Sequence, residues 1–257
     1  MEDKKTEHTE EHAPGKHITH EALHDLIHFD RKIIHTIPVL LFKPGKLTQS
    51  ALSGQDSKYV RPFALFVFIN FLYFLLKSPG IFAFHLSLYA NDFADTIKET
   101  LAGQHISLEI LTERFNTAMH FEQKEYMVII APLLALILQL LYLSRWQHFT
   151  RHLVFSLHFY TFFIIFIVVF PWIFKPVLYL SKHGLPALSI FNTDNGVAIT
   201  VILACLVYIF FALKRVYGGN TWLTLLKATT LSVALIFLMV GFFRIFMFYV
   251  VMHAIAH

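Results

Sequence analysis

This sequence predicts an all-α integral membrane protein with about five transmembrane helices, and three observations predict it. The first is composition: 56% of the 257 residues are hydrophobic and only 15% are charged, against roughly 25% charged in a typical soluble domain. The second is the run from His152 to Phe174, 23 residues without a formal charge, where about 20 apolar residues suffice to cross a bilayer as a helix. The third is loop charge. Segments 1–61, 145–151 and 214–227 hold fourteen Lys and Arg, and segments 91–125 and 175–195 hold five. Cytoplasmic loops carry the excess of basic residues, so the expected topology is N-in and C-out.

In chain order, residues 1–16 are polar, histidine-rich and without apolar period, the composition of a disordered tail. The first 35 residues contain seven histidines and no apolar core of a signal peptide, so insertion is expected to rest on internal segments. Residues 17–61 read as a cytoplasmic amphipathic helix and a connector. Leu23, Leu26, Ile27, Ile33, Ile34 and Ile37 share one side of a helix, opposite His17, His20, His24, His28 and His35, and the helix is expected to end before Pro38. Pro44-Gly45 and Gly54 to Ser57 are turn signals within the connector.

Residues 62–257 read as the bundle. The first span is Pro62 to Leu76, 15 uncharged residues, followed by a break at Pro79-Gly80 and an interfacial or re-entrant piece from Ile81 to Ala90. Residues 91–125 carry seven acids and read as a small extracytoplasmic cap of short amphipathic helices. Tyr126 to Ser144 is the second span, and the third follows the basic turn Arg145 to Arg151, with a kink expected at Pro171. A second outer loop is expected over Lys175 to Asn195, a fourth span over Gly196 to Leu213, an interfacial turn over Thr221 to Lys227 and a fifth span over Ala228 to Met252.

The net charge of +4 is modest and belongs to this loop asymmetry, so nucleic acid is not an expected partner. The single cysteine, Cys205, lies in an apolar run. It excludes a disulfide framework and reads as a small buried filler.

Two stretches carry a further pattern. In Arg31 to Leu76, His35-Thr36-Ile37 precedes Pro44-Gly45, Gly54 and then Tyr59 to Pro62, just ahead of the first span. In Pro132 to Ile165, Arg151-His152-Leu153-Val154-Phe155 is followed by His158. Together they resemble a bacterial family of multi-pass membrane proteins, domain-of-unknown-function family 3667. The resemblance implies a multi-pass architecture in a bacterial cytoplasmic membrane and implies no activity. It departs at Gln55-Asp56, where the family pattern has a basic pair, and at Arg151, where it has a glutamate. The amino-terminal zinc ribbon of many members, with its Cys-x-x-Cys pairs, has no counterpart here.

The candidate polar residues are His152, His158, Arg244, Gln139 and Asn70. His20, His24 and His28 stand at i, i+4 spacings, as do His148 and His152, and these five imidazoles are the candidate metal ligands. Against that reading stand a solvated histidine face on the first helix and hydrogen bonding between spans on the third. His158, six residues from His152, points elsewhere on the helix. His152 is expected at the cytoplasmic interface. His158 is expected to be buried, with Gln139, Thr200 or Tyr208 as its partner. Arg244 lies in a span where Asp and Glu are absent from all five spans; it reads as a snorkelling cation bonded to carbonyls or headgroups, or as an anion site.

The leading function is non-enzymatic: a scaffold, transport or envelope component whose partners are the lipid bilayer and other membrane proteins, or a second copy of the chain. No cofactor is predicted. A histidine-dependent metal or redox enzyme and a small-solute or ion transporter are the alternatives.

Overall fold

The computed structural model describes residues 31–55, 58–76, 84–143, 148–183 and 193–256. It is all-helical across them. Four stretches are long and apolar enough to cross a membrane: Leu108–Leu141, Phe149–Ser181, Gly196–Tyr217 and Thr221–Ile255. The expected first span is a shorter helix, α3 (Pro62–Leu75, 14 residues). At 1.5 Å per residue it is about 21 Å long, short of the roughly 30 Å hydrocarbon core.

Ahead of α3 the expected connector is largely helical. Helix α1 covers 31–42 and helix α2 is Lys46–Leu52, with Gly45 in the left-handed region at φ 74° between them. Helix α1 runs through Pro38, the residue expected to stop it. Proline removes one backbone donor and strains the preceding turn, but Pro38 is exposed and the following residues pack: Leu40 is 2% exposed and Leu47 is 4%.

After α3, a short 3₁₀ turn (Leu86–Tyr89) and α4 (Ala94–Gln104) lead to α5 (Leu108–Tyr126). Ser107 caps α5 by accepting from the Ile110 N–H, and Glu109 in the first turn suits the helix dipole. Only a 3₁₀ turn, Met127–Ile129, separates α5 from α6 (Ile130–Leu141). The acidic cap and the second span are therefore nearly one rod, because the apolar stripe Leu111, Phe115 and Met119 of α5 is as buried as that of the span.

Helix α7 (Phe149–His183) includes both Pro171 and Pro176. Half of the expected second outer loop is thus helix: α7 continues past Lys175 to His183, and α8 begins at Asp194. Helix α8 (Asp194–Tyr217) starts at Thr193, which accepts from the Gly196 N–H at 3.0 Å. It ends at Gly218, where Lys214 Nζ donates to the Gly219 carbonyl at 2.7 Å. Asn220 then caps α9 (Thr221–Ile236), so the expected interfacial turn is already helix. A π-helical turn, Phe237–Phe243, joins α9 to α10 (Arg244–Ala256).

Helix α7 packs against α2, α3 and α6, α8 against α2 and α9, α9 against α6, and α10 against α5. Aromatic rings fill the interior: Phe162 stacks on Tyr208 at 3.5 Å between centroids, and Phe162, Phe166, Phe170 and Phe174 form a ladder along α7 at 4.6–5.6 Å. Such packing is what holds spans together where lipid removes the hydrophobic drive between them.

Candidate functional site

The polar residues of the long helices gather at the breaks in the chain, and the largest gathering is around α1, Gly45 and α2. This hairpin lies between α7 and α8. Irregular backbone at membrane depth must find its hydrogen bonds inside the protein. Here Tyr208 of α8 donates to the Leu40 carbonyl at 2.8 Å. Arg215, nearly two helical turns further on, donates to the Pro44 carbonyl. Thr48 Oγ1 and His158 Nδ1 are 3.0 Å apart, both buried. Gly45 sits so close to α8 that a Cβ there would be 2.8 Å from the Ala212 carbonyl oxygen and 2.9 Å from Ala212 Cα. The seat leaves a cavity of only about 10 Å³. Thr36 extends the clasp: it donates to the Lys32 carbonyl at 2.6 Å and accepts from the Val60 N–H at 3.1 Å, tying α1 to the start of α3.

His158 is therefore buried and bonded as expected, but its partner is Thr48 of the hairpin. Of the partners expected from the spans, Tyr208 serves the hairpin backbone and Thr200 donates to its own helix at Gly196. Gln139 is half-buried on α6.

His152 is 0% exposed. Its Nδ1 is 2.8 Å from the Tyr217 hydroxyl, and the rings of Tyr142 and Tyr217 stack beside it at 5.9 and 5.5 Å. Tyr142, just after α6, and Tyr217 of α8 close over it. Arg151 donates to the Val216 carbonyl at 2.7 Å, covering the end of α8. His148, exposed and one residue ahead of α7, does not share that buried face. Along α7, His152 Nε2, Ser156 Oγ and the Tyr160 hydroxyl are buried without a partner among the described residues, at successive steps of four.

Lys124 of α5, which sequence reasoning passed over as a cap residue, holds the second break. It is 7% exposed and donates to the Leu76 carbonyl at 2.8 Å, with Phe74 at 3.5 Å. These are orphan carbonyls of α3, and a cation is the favourable group at a helix C-terminus. Its ammonium also faces the Tyr73 ring at 5.8 Å. Asn70 on α3 donates to its own Phe66 carbonyl at 2.7 Å and leaves Oδ1 buried without a partner.

Arg244 holds the third break. It donates to the Leu88 carbonyl, pairs with Asp92 at 3.1 Å and lies 5.1 Å from the Tyr89 ring centroid. Tyr89 in turn donates to the Arg244 carbonyl at 3.0 Å. Burial pushes the Tyr89 phenol well up, and the neighbouring guanidinium offsets part of that rise. The acid missing from the spans is thus supplied by the loop.

Among the described residues, no group of three or more His, Cys, Asp or Glu is placed to hold a metal ion. His20, His24 and His28 lie outside the described residues.

Residues 30–74 match the model of the family described as "Protein of unknown function (DUF3667)", the family that the two stretches resemble. The matched segment comprises the hairpin and nearly all of α3. No curated protein and no solved structure matches the chain.

Proposed function

We propose that this chain is a non-enzymatic component of a bacterial cytoplasmic membrane, a scaffold whose working part is the family-matched segment held inside the bundle. The observation that carries this reading is the clasp. Tyr208 and His158 bond to the α1–α2 hairpin, Lys124 to the end of α3 and Arg244 to the 3₁₀ turn, so polar groups of the long helices serve to hold the shorter segments. In this reading the amino terminus is cytoplasmic, α3 and the four long stretches alternate in direction, and the carboxy terminus is outside. Gln104 of α4 bonding the Ile255 carbonyl at 2.8 Å puts the α4 end and the chain terminus together, as that alternation requires.

Two measurements test it. Purified protein should carry less than one equivalent of zinc, copper or iron and show no visible absorption band. A stoichiometric metal lost in His152→Gln or in the triple His20, His24, His28 to Gln variant would establish the metal-enzyme alternative instead. A reporter enzyme active only outside the cytoplasm should work fused after His257 and fail after Lys214; the reverse would sink the N-in topology.

A second reading, a small-solute or ion transporter, draws on one observation: the stripe of buried, unpartnered groups at His152, Ser156 and Tyr160. Proteoliposomes would show ion or proton flux abolished by Ser156→Ala with Tyr160→Phe if it held.

A further inference from the structure

A lateral groove of about 590 Å³ opens between α7, α8 and the α9–π-turn rod. Its walls include Phe163, Phe170 and Phe174 of α7, Val201 and Cys205 of α8, and Met239 of the π turn. All three walls belong to stretches long and apolar enough to span the membrane, so what faces its opening is lipid. Its volume falls within the roughly 300–1,000 Å³ of small-molecule sites.

The lining decides the ligand. Ser232, the one hydroxyl among the lining residues, donates to its own Ala228 carbonyl at 2.9 Å, so the interior offers an occupant no free hydroxyl donor. Among the described residues no carboxylate lines it, and the sole charged lining residue is Lys175. From Phe163 to Lys175 is twelve residues of α7, about 18 Å of rise, which puts the cation at one end of an apolar trough. The Trp172 ring stands 4.2 Å from the Lys175 ammonium, and Trp with Lys is the pairing that marks a headgroup level.

We infer that the groove binds one acyl chain of an anionic, phosphate-bearing lipid, with Lys175 facing the phosphate. The π turn contributes to the site by forming part of its wall at Met239 and Val240. The groove encloses its occupant between α7, α8 and the α9–π-turn rod.

The full chain is reconstituted in bilayer discs of equimolar phosphatidylglycerol and phosphatidylcholine, released into gentle detergent, and the retained lipid identified by native mass spectrometry. Wild type keeps one lipid with an anionic preference of about fivefold, the size expected for one lysine at an anionic surface. Val201→Trp and Ala198→Phe, which fill the groove, lose it while keeping the wild-type elution volume. Lys175→Gln keeps one lipid and loses the preference. Retention by both filled variants overturns the groove as the site, and an unchanged preference in Lys175→Gln overturns the lysine as headgroup cation. A dimer that disappears only in the filled variants would show that the groove takes protein and would equally overturn the proposal.

Discussion

Replacing Gly45 with alanine tests whether the hairpin is seated against α8. Two costs apply. The residue is held at φ 74°, where an L side chain costs about 1–2 kcal/mol. Its new methyl would also meet Ala212 O at 2.8 Å and Ala212 Cα at 2.9 Å. Those atoms are helix backbone and cannot rotate away, so overpacking adds about 1–3 kcal/mol. Gly54 provides the control. It has nearly the same φ, 72°, but nothing lies within 4 Å of its Cβ position, so Gly54→Ala carries the conformational cost alone. Unfolding both variants in mixed micelles of mild detergent and dodecyl sulfate should place Gly45→Ala below Gly54→Ala by about 1–3 kcal/mol. Labelling of a cysteine introduced at Thr48 should accelerate in Gly45→Ala only. Equal stabilities and equal labelling would refute the seat, whatever else the hairpin does.

Three further outcomes follow from the clasp. His158→Leu strands the buried Thr48 hydroxyl and should cost about 1–3 kcal/mol, while the double variant with Thr48→Val should cost less than the sum, read by a double-mutant cycle in the same micelles. Lys124→Met uncovers the Leu76 carbonyl and should destabilise by about 1–3 kcal/mol, with faster protease cleavage between α3 and α4. Arg244→Gln should destabilise the outer end by about 1–3 kcal/mol through the Leu88 carbonyl. Asp92→Asn should cost under about 1 kcal/mol because that carboxylate is 61% exposed; the opposite ranking would show that the ion pair, and not the carbonyl bond, holds the turn.

Much of this architecture was legible in the sequence, because hydropathy reports which segments meet lipid. The second to fifth spans fall where apolar runs place them. Helix lengths were not legible: Lys175 and the acids of α5 read as the ends of spans, yet α5 and α7 run through them as helix. The hairpin was illegible for another reason. Pro44, Gly45 and Thr48 read as a surface turn, and it is His158, Tyr208, Ala212 and Arg215, far along the chain, that set the hairpin between α7 and α8. The same separation misdirected the partner of His158, sought among spans at equal depth. Arg244 and His158 were recognisable as residues needing partners, since hydrocarbon offers none. Lys124 was not, because its sequence neighbours Glu122 and Glu125 make it look solvated.

The hairpin also sets a timetable for synthesis. Thr48 waits for His158, 110 residues later, and Leu40 for Tyr208, 168 residues later. At about 5–20 residues per second, the ribosome needs roughly 8–34 seconds to make the second of those partners. Until then the first-made helices have no seat, and their exposed carbonyls at Leu40 and Pro44 can be hydrated only at the membrane surface. Assembly of the clasp therefore lags its synthesis: α1 and α2 are made well before the helices that receive them.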